Sequence, residues 1–315
     1  MNSVLISVGL PVVKNTFLIK SIQCCLSQTY ENIEIIVQNN ASDIKIKEEI
    51  REIILNFNDK RIKYFENQNQ IPMVQNWNAA LEKANGEFFA ILCDDDIWEP
   101  TFLEEILNLS NKFPNTSIFH TRNAIVDETD KIKSLSQTCP DFENGKDFII
   151  HRLLGHRTIY LSDFVVKTNA LKNIGGFIEF PDGWGSDTFT WFKISLNGGV
   201  AYTSKVLFNY RVSKINVSNS KKNNNKYTAI EMQYEMLKEM LKDIEFSNEK
   251  YDLIQKELLQ KEIFKFKDKS KKFIFFKILI NKYKLHESLA FLISLVYQYY
   301  IRNLSKQARI DGNRS

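Results

Sequence analysis

The sequence predicts an α/β protein in which a mixed sheet is flanked by helices and followed by a helical C-terminal extension. Three observations lead to this prediction. Over residues 1–115, short apolar runs alternate with segments of helical periodicity, which is typical of βαβ units and parallel strands. From 116 to about 215, strand-like runs mix with turns and shorter helices. From Tyr227 onward the pattern is helical, with no Pro or Gly before Gly312.

Each predicted strand is an apolar run that ends at a turn residue or a polar group. The helices fill the gaps, and their ends carry the usual signals: Asn85 and Gly86 close one helix, and Pro100 precedes another. The predicted strands are 4–10, 33–37, 61–65, 88–93, 117–120, 161–166 and 206–210, and the predicted helices of the first half are 17–27, 44–57, 73–84 and 102–113.

The length and composition fit a globular protein with an appendage. A chain of 315 residues is long enough for one large α/β domain and an additional region. With 43% hydrophobic and 25% charged residues, the composition argues against a fibre or a disordered chain. We expect a domain over 1–220, made of a nucleotide-binding half (1–115) and an acceptor-side half (116–220), and a basic helical region over 221–315.

Charge is unevenly distributed between these two regions. Residues 1–220 hold 22 basic and 26 acidic side chains, whereas residues 221–315 hold 20 basic and 12 acidic ones. A basic tail favours an anionic partner such as a membrane surface, and solvated helix faces are the alternative. The tail has no motif that reads a nucleic-acid groove, so no nucleic-acid partner is expected.

No run in the tail reaches the roughly 20 apolar residues of a spanning helix. We therefore interpret 285–301 as an amphipathic helix that lies on the inner membrane surface or packs on the body or on a second copy of the chain. The four cysteines have no zinc-type spacing and are interpreted as reduced thiols. Because the N-terminus lacks the features of a secretory signal, we expect a cytoplasmic protein, at most peripheral on the membrane.

An acidic cluster, Asp94-Asp95-Asp96, directly follows the apolar run 88–93. Three adjacent carboxylates cannot all enter a core without partners, so they must face water or a cation. Mg²⁺ typically takes one or two protein carboxylates and completes its shell with phosphate and water. The ends of two other predicted strands, at Pro11 and at 38–40, fall on the same sheet edge, where α/β proteins bind ligands. An acidic turn that caps the next helix is the alternative interpretation.

Seven short motifs occur in order over residues 7–211. They are Ser7-Val8-Gly9-Leu10-Pro11-Val12, Ile35-Ile36-Val37-Gln38-Asn39-Asn40-Ala41-Ser42, Asn76-Trp77-Asn78-Ala79-Ala80-Leu81 with Ala84-Asn85-Gly86-Glu87-Phe88, Leu92-Cys93-Asp94-Asp95-Asp96-Ile97-Trp98-Glu99-Pro100, Ile174-Gly175-Gly176-Phe177, Gly185-Ser186-Asp187 and Tyr210-Arg211. Together they resemble the family 2 inverting glycosyltransferases, which have the GT-A fold, a Rossmann-like mixed sheet.

The resemblance implies a nucleoside-diphosphate sugar as donor, for which we expect a UDP-sugar, and Mn²⁺ or Mg²⁺ as cofactor. Cys93 stands where the family commonly has the first Asp of its metal motif, and a thiol is a poor ligand for these hard cations. Asp95 then becomes the metal contact. The donor-binding residues that the resemblance implies are Pro11, Val12, Asn39, Asn76, Asp94, Asp95 and Arg211.

Two of these assignments leave alternatives open. The family often has an Asp that reads the base where this chain has Asn39, and an amide can both donate and accept. An ordinary turn before a helix capped by Ser42 or Asp43 is the other interpretation of that segment. Arg211 would help to stabilise the leaving diphosphate, or it forms an ordinary ion pair.

Inversion by direct displacement requires a general base, and the resemblance assigns this role to Asp187. The alternatives are that Asp187 merely caps the following helix or that the nearby Asp182 is the base. We also place His156, Arg157, Trp184 and Asp182 on the acceptor side. Ser186 departs from the Glu that the family often has before its base.

The expected function is transfer of a sugar to a saccharide or lipid-linked saccharide during synthesis of a cell-surface polysaccharide, such as lipopolysaccharide or capsule. The alternative is a catalytically silent nucleotide-sugar-binding or scaffold protein of the same fold. The departures at Cys93, Asn39 and Ser213 keep this alternative open.

Overall fold

The computed structural model describes residues 4–212 and 223–283. The chain divides into two compact units, and the division falls between Phe266 and Lys267 in the sequence. The predicted division at residue 220 stays a prediction, and the predicted amphipathic segment 285–301 lies outside the described residues. Within the described ranges, no helix combines the length and the apolar character needed to cross a membrane.

The strands and helices follow the predicted alternation in the first half of the chain. The strands are β1 (Ile6–Val12), β2 (Ile33–Asn39), β3 (Ile62–Glu66), β4 (Phe88–Ile91), β5 (Ile97–Trp98), β6 (Ile118–Val126), β7 (Ile132–Leu135), β8 (Phe142–Glu143), β9 (Phe164–Lys167) and β10 (Val200–Arg211). The α-helices are α1 (Leu18–Leu26), α2 (Ile44–Phe57), α3 (Met73–Glu82), α4 (Phe102–Lys112), α5 (Gly145–Leu153), α6 (Thr168–Asn173), α7 (Ser186–Ser195), α8 (Asn223–Asp243) and α9 (Lys250–Tyr283).

All ten of these strands belong to one mixed sheet. Its order is β3-β2-β1-β4-β9-β6-β10-β5, with β7 on β6 and β8 on β10. The first four strands of this order are mutually parallel. β9 is antiparallel to both of its neighbours, and β10 is parallel to β6. The predicted mixed sheet is therefore confirmed, and β1, β2 and β4 end at the same edge.

The central strands are buried on both faces. All residues of β2 and β4 are buried, and in β1 only Pro11 is partly exposed. Helices cover both faces of this part of the sheet and form one apolar core on each side. This burial explains why the sequence of these strands reads as continuous apolar runs rather than as an alternating pattern.

The differences from the predicted elements lie mostly in the second half of the sheet. The predicted strand 161–166 begins only at Phe164, because Leu161–Asp163 forms a short 3-10 turn. In that turn, the side chains of Ser162 and Asp163 accept hydrogen bonds from Cys93 and Thr121 instead of facing alternate sides of a strand. The strands β5, β7 and β8 are too short or too exposed to carry an apolar signal.

Candidate active site

Three loops meet where β1, β2 and β4 end. The pairing of β1 with β2 places Pro11 and Val12 opposite Gln38 and Asn39. On the other side β1 pairs with β4, after which residues 92–96 form a turn that we call the acidic loop. Val12 is fully buried, so the side chains that reach this edge come mainly from the loops.

Within the acidic loop, Asp96 points into the protein. Its Oδ2 accepts a hydrogen bond from Ser162 Oγ at 2.7 Å, and its Oδ1 accepts one from the backbone N–H of Arg211 at 3.2 Å. Its own N–H donates to the carbonyl of Cys93 at 3.2 Å. Asp96 therefore fixes the acidic loop to the last strand, β10.

Asp94 and Asp95 are arranged around one lysine. Lys14 Nζ lies 3.3 Å from Asp95 Oδ2 and 4.0 Å from Asp94 Oδ1. Asp94 is buried and accepts hydrogen bonds from the backbone N–H groups of Val13 and Lys14, yet its Oδ2 has no hydrogen-bond partner among the described residues. The two carboxylates thus share a single cation.

The acidic loop is short of positive charge. Burial raises the pKa of Asp94 to about 7, against the opposing effect of Lys14. Burial and the neighbouring carboxylate of Asp95 raise the pKa of Asp96 to about 8, even though Ser162 and Arg211 donate to it. Buried carboxylates shift in this direction when nearby positive charge does not compensate for lost hydration. A further cation at Asp94 and Asp95 would supply that charge.

Asp94 and Asp95 fit a divalent cation that takes the rest of its shell from a ligand and from water. Residues 4–212 and 223–283 contain no group of three or more His, Cys, Asp or Glu that could hold a metal by itself. One or two carboxylates are nonetheless the usual protein share for Mg²⁺ bound with a phosphate. Burial raises the pKa of Cys93 well above its usual value, which disfavours the thiolate form that a metal would require.

Arg211 supports the acidic loop from behind. Its side chain is fully buried, and its Nε donates to the carbonyl of Asp95 at 2.9 Å. Its NH1 donates to the carbonyl of Asp127 and to the carboxylate of Asp130, and the guanidinium lies over the ring of Phe17. The fold therefore uses Arg211 to hold the loop, and its contact with a donor stays a prediction.

The predicted base-reading residue, Asn39, is the last residue of β2, and its side chain forms hydrogen bonds within the protein. It is fully buried, and its Nδ2 donates to the carbonyl of Lys47 at 3.1 Å and to Tyr64 Oη at 2.9 Å. Its Oδ1 accepts the N–H of Ala41 at 3.1 Å. In this structure Asn39 shapes the loop, as the alternative interpretation of this segment has it, and contact with a base stays a prediction.

A buried amide network continues from this loop to α3. Asn67 Nδ2 donates to Asn40 Oδ1 at 2.9 Å and to Asn76 Oδ1 at 2.8 Å. Asn67 Oδ1 accepts from Gln38 Nε2 at 3.0 Å, and Gln38 Oε1 has no hydrogen-bond partner among the described residues. The predicted donor residue Asn76 is thus connected to the nucleotide-side loops through a chain of amides.

The predicted base, Asp187, lies half-buried in the first turn of α7. The residue that caps this helix is Gly185, and the carboxylate of Asp187 accepts hydrogen bonds from the N–H and Oγ1 of Thr188, at 2.7 and 3.4 Å. Burial raises the pKa of Asp187, and the guanidinium of Arg152 opposes this shift. A partly desolvated carboxylate of raised pKa is suited to accept a proton.

Arg152 and Tyr160 interact electrostatically with Asp187 and with the acidic loop, respectively. Arg152 is in the last turn of α5, its Nε has no hydrogen-bond partner among the described residues, and its charge acts on both Asp187 and Tyr160. Burial raises the pKa of Tyr160 to about 12, with smaller contributions from Tyr210 and Asp96. The ring of Tyr160 stacks on that of Tyr210, with centroids 4.1 Å apart.

The family model described as Glycosyl transferase family 2 matches residues 7–173, more than half of the chain. The chain belongs to glycosyl transferase family 2. The predicted family and the predicted enzyme class, a glycosyltransferase, are therefore confirmed. A transferase of this family acts on nucleotide sugars, so the nucleotide-sugar donor is confirmed at this level.

Two relatives illustrate the range of sequence similarity. An uncharacterized glycosyltransferase of Rickettsia typhi is 28% identical over 223 residues, which cover 69% of this chain and 67% of that protein. The UDP-Glc:alpha-D-GlcNAc-diphosphoundecaprenol beta-1,3-glucosyltransferase WfgD of Escherichia coli is 26% identical over 238 residues, which cover 75% of this chain and 87% of WfgD.

Solved structures of glycosyltransferases share the fold. Residues 1–349 of S. aureus TarS, in complex with UDP-GlcNAc, superpose with a TM-score of 0.62 at 15% identity, covering 82% of this chain and 71% of that one. The mannosyltransferase PcManGT from Pyrobaculum calidifontis, in complex with GDP-Man and Mn²⁺, superposes with a TM-score of 0.58 at 14% identity. The match covers 94% of this chain and 80% of that one. The predicted GT-A fold is confirmed.

Arg157, which is predicted to lie on the acceptor side, is held in place by hydrogen bonds within the fold. Its Nε and NH2 donate to the carboxylate of the buried Glu143 at 3.0 and 2.7 Å, and His151 Nδ1 contacts the same carboxylate. His156 is exposed, and its carbonyl accepts from Arg157 NH1 at 2.8 Å. The predicted acceptor roles of His156 and Arg157 stay predictions.

Trp184 and Asp182 lie in the turn that precedes Asp187. Asp182 is exposed, has a left-handed backbone (φ +53°) and accepts a hydrogen bond from Asn225 of α8 at 2.9 Å. Trp184 lies beneath Lys226 of the same helix. Both predicted acceptor residues therefore contact the C-terminal helical region.

Sequence reasoning missed four residues of the site: Lys14, Arg152, Tyr160 and Ser162. Lys14 could have been found as a basic residue in the loop after the first strand, a position that faces the same edge as the acidic cluster. The other three come from elements that are distant in sequence from the loops, and no motif marks them. Only the packing of α5 and of the turn before β9 brings them to the site.

Proposed function

We propose that this glycosyltransferase moves a sugar, with inversion, from a UDP-sugar to a hydroxyl of a saccharide or lipid-linked saccharide. Asp95 would hold a divalent cation, Mn²⁺ or Mg²⁺, and Asp187 would be the general base. The observation that carries the proposal is the charge deficit of the acidic loop, where Asp94 and Asp95 share only Lys14 at the edge of the sheet.

A divalent cation bound there would neutralise negative charge on the diphosphate as the sugar leaves. Asp95, together with the unpartnered Oδ2 of Asp94, is the part of the chain that would hold it. Lys14 would pair with a phosphate oxygen once a cation replaced it between the carboxylates. Asp96 and Arg211 would keep the loop in place, since both bind it from the protein side.

Asp187 would take the proton from the acceptor hydroxyl as this oxygen attacks the anomeric carbon. General-base catalysis of this kind contributes about 10²- to 10⁴-fold. The environment of Asp187 suits the task, because burial makes the carboxylate more basic while the charge of Arg152 helps to keep it ionised. Asp182, the reserve candidate, is exposed and bonded to Asn225, which leaves it less suited.

The identity of the donor and the acceptor is supported by relatives. TarS is in complex with UDP-GlcNAc, and PcManGT is in complex with GDP-Man and Mn²⁺. WfgD is named for UDP-Glc as donor and for alpha-D-GlcNAc-diphosphoundecaprenol as acceptor. UDP is therefore our first choice, with GDP as the comparison. We propose a lipid-linked saccharide acceptor and a role in lipopolysaccharide or capsule synthesis.

A lipid-linked acceptor would require work at the cytoplasmic membrane face, and the basic residues of 221–315 would favour an anionic surface. Co-sedimentation of the full chain with vesicles tests this. We expect binding to vesicles with anionic lipid that weakens as salt rises, and little binding to neutral vesicles. Equal recovery in the supernatant with both vesicle types would contradict membrane contact and would leave packing on the body or on a second copy of the chain as the alternatives.

The catalytic assignment is tested by donor hydrolysis and sugar transfer with a panel of UDP- and GDP-sugars and Mn²⁺. We expect turnover with one donor class, lost in Asp187→Asn and retained in the matched control Asp182→Asn. Equal losses of turnover in both variants would contradict the assignment of Asp187 as the general base. Tight metal-dependent binding of nucleotide with no turnover on any donor would contradict the proposed transfer.

A further inference from the structure

The helix α8 packs against the segment that leads into the proposed base. We call residues 180–186 the base turn; it contains the 3-10 helix Pro181–Gly183 and ends one residue before Asp187. On sequence alone α8 belongs to the basic C-terminal region. In the structure it belongs to the same compact unit as the sheet.

Three side chains of α8 contact the base turn. Gln233 Nε2 donates a hydrogen bond to the carbonyl of Trp184, and Lys226 Nζ lies 4.8 Å from the centre of the Trp184 ring. Asn225 Nδ2 donates to Asp182 Oδ2 at 2.9 Å. Gln233 and Lys226 are only 3% and 4% exposed, so both side chains contact Trp184 from inside the protein, whereas Asn225 and Asp182 are exposed.

The backbone of the base turn approaches Gln233 as closely as a glycine permits. Gly185 has φ +78°, and a Cβ at this position would lie 2.6 Å from Gln233 Nε2. A side chain at this position would be strained and would also collide with the amide. Gly185 therefore lets the turn come close enough for Gln233 to donate its hydrogen bond to the carbonyl of Trp184.

The opposite side of the base turn rests on α3. Gly183 has φ +65°, and a Cβ there would lie 2.4 Å from Met73 Cε. Within the turn, Ser186 Oγ accepts the N–H of Phe180 at 3.1 Å, which gives the residue at the usual Glu position a structural role. The turn is thus enclosed between α3, which carries Asn76, and α8.

We propose that Gln233 is a positioning residue for the transfer reaction: by binding the Trp184 carbonyl it fixes the base turn and thereby the orientation of Asp187. The proposal rests on the proposed role of Asp187. A general base must be placed within hydrogen-bond distance of the acceptor hydroxyl, and a misplacement of about 1 Å can cost about 10²-fold in rate. Gln233 acts through the turn and need not touch substrate.

The test compares Gln233→Met with Met240→Ala in the full chain. Methionine preserves the size of Gln233 and removes its N–H donor, whereas Met240, buried on the same helix, packs in the apolar core. Three quantities are measured: kcat and KM for the active donor sugar, the affinity for UDP, and the rate of hydrogen–deuterium exchange in peptides that cover 180–190.

We expect Gln233→Met to lower kcat about 10- to 100-fold, with the donor KM and UDP affinity changed by less than about twofold, and to accelerate exchange in 180–190. Met240→Ala should lower the melting temperature and leave kcat near the wild-type value. Unchanged kcat or unchanged exchange in Gln233→Met would overturn the proposal. Absence of turnover in the wild type would instead contradict the proposed function, and the exchange rates would still decide whether Gln233 holds the turn.

Discussion

Glu34 and Asp94 are both buried carboxylates, and they lie near opposite ends of the parallel strands. Glu34, at the start of β2, accepts hydrogen bonds from Ser7 Oγ and Lys63 Nζ, both at 2.5 Å, and from the N–H and Nδ2 of Asn85 at 2.7 and 3.2 Å. Burial by itself raises the pKa of Glu34, but these hydrogen-bond partners lower it to about 2. At the other end, burial raises the pKa of Asp94 to about 7.

This difference separates a carboxylate that stabilises the fold from one that is available for a ligand. Burial costs free energy for both groups, and hydrogen bonds or charge must compensate for it. At Glu34 the protein supplies every partner. At Asp94 and Asp95 the described residues supply one lysine and the backbone N–H groups of Val13 and Lys14, and Asp94 Oδ2 has no hydrogen-bond partner among them. Such an oxygen would suit a site that takes up a cation and a diphosphate.

The largest effect is expected from Asp95→Asn. We predict a loss of turnover of about 10²- to 10³-fold, because the charge that would hold the cation is removed. The metal-free variant should lose at most about 1 kcal/mol of unfolding free energy, since Asp95 also repels the buried carboxylates beside it. Parallel assays of turnover and urea denaturation check both parts, and a stability loss that accounts for the inactivity would contradict the interpretation.

At the other end of the strands, we expect substitution of Glu34 to reduce stability and not turnover. Glu34→Gln should cost about 2 kcal/mol of unfolding free energy and leave turnover per folded molecule unchanged. Because the folded pKa of Glu34 lies below its ordinary value of 4.5, its contribution is present above pH 4.5 and is lost as the pH falls toward 2. Denaturation curves from pH 7 to pH 3 should converge for wild type and variant; parallel curves would contradict this account.

A smaller change is expected from Arg152→Gln. Removing the Arg152 guanidinium, whose charge opposes the upward shift of the Asp187 pKa, should raise the pKa of this proposed base further, so the acid limb of the pH–rate profile should move to higher pH. Arg152→Lys should retain most of the wild-type profile. The pH dependence of kcat/KM in the three proteins checks this, and a uniform loss at every pH would indicate a different role for Arg152.

The smallest effect is expected from Cys93→Ala. Cys93 occupies the first position of the acidic motif, but burial raises the pKa of its thiol and so disfavours the thiolate. We expect turnover within about threefold of the wild-type value and the same metal preference, because thiols bind Mn²⁺ and Mg²⁺ poorly. A change in which metal supports turnover would show that the thiol does contact the ion.

The sequence predicts those parts of the site whose residues are adjacent in the chain. It does not predict the parts that tertiary packing assembles from distant residues. The edge with Asp94 and Asp95 could be predicted because apolar strands end in polar residues at a known edge of an α/β sheet. Arg152 and Arg157 look alike in sequence, each a basic residue near the end of α5. Only the packing of Glu143 against Arg157 distinguishes this paired arginine from Arg152, whose charge acts on Asp187 instead.

The same reason explains two other differences. Asn39 is in a loop that resembles a base-reading motif, yet its amide is used by Lys47 and Tyr64, which no local pattern reveals. The composition of 221–315 predicts a basic region apart from the catalytic domain. In the structure, helix α8 of this region contacts Trp184 and Gly185. Composition could not predict this, because a close contact between one buried glutamine and a glycine-containing turn leaves no signal in composition.

The central claim is that the acidic loop takes up a divalent cation together with a nucleoside diphosphate. It is tested most directly by melting the wild type and Asp95→Asn with Mn²⁺ alone, with UDP or GDP alone, and with Mn²⁺ and nucleotide together. A ligand that binds the folded state raises the melting temperature. We predict a rise in the wild type that requires both components and is absent in Asp95→Asn. An equal rise in the two proteins, or none in the wild type, would contradict the account.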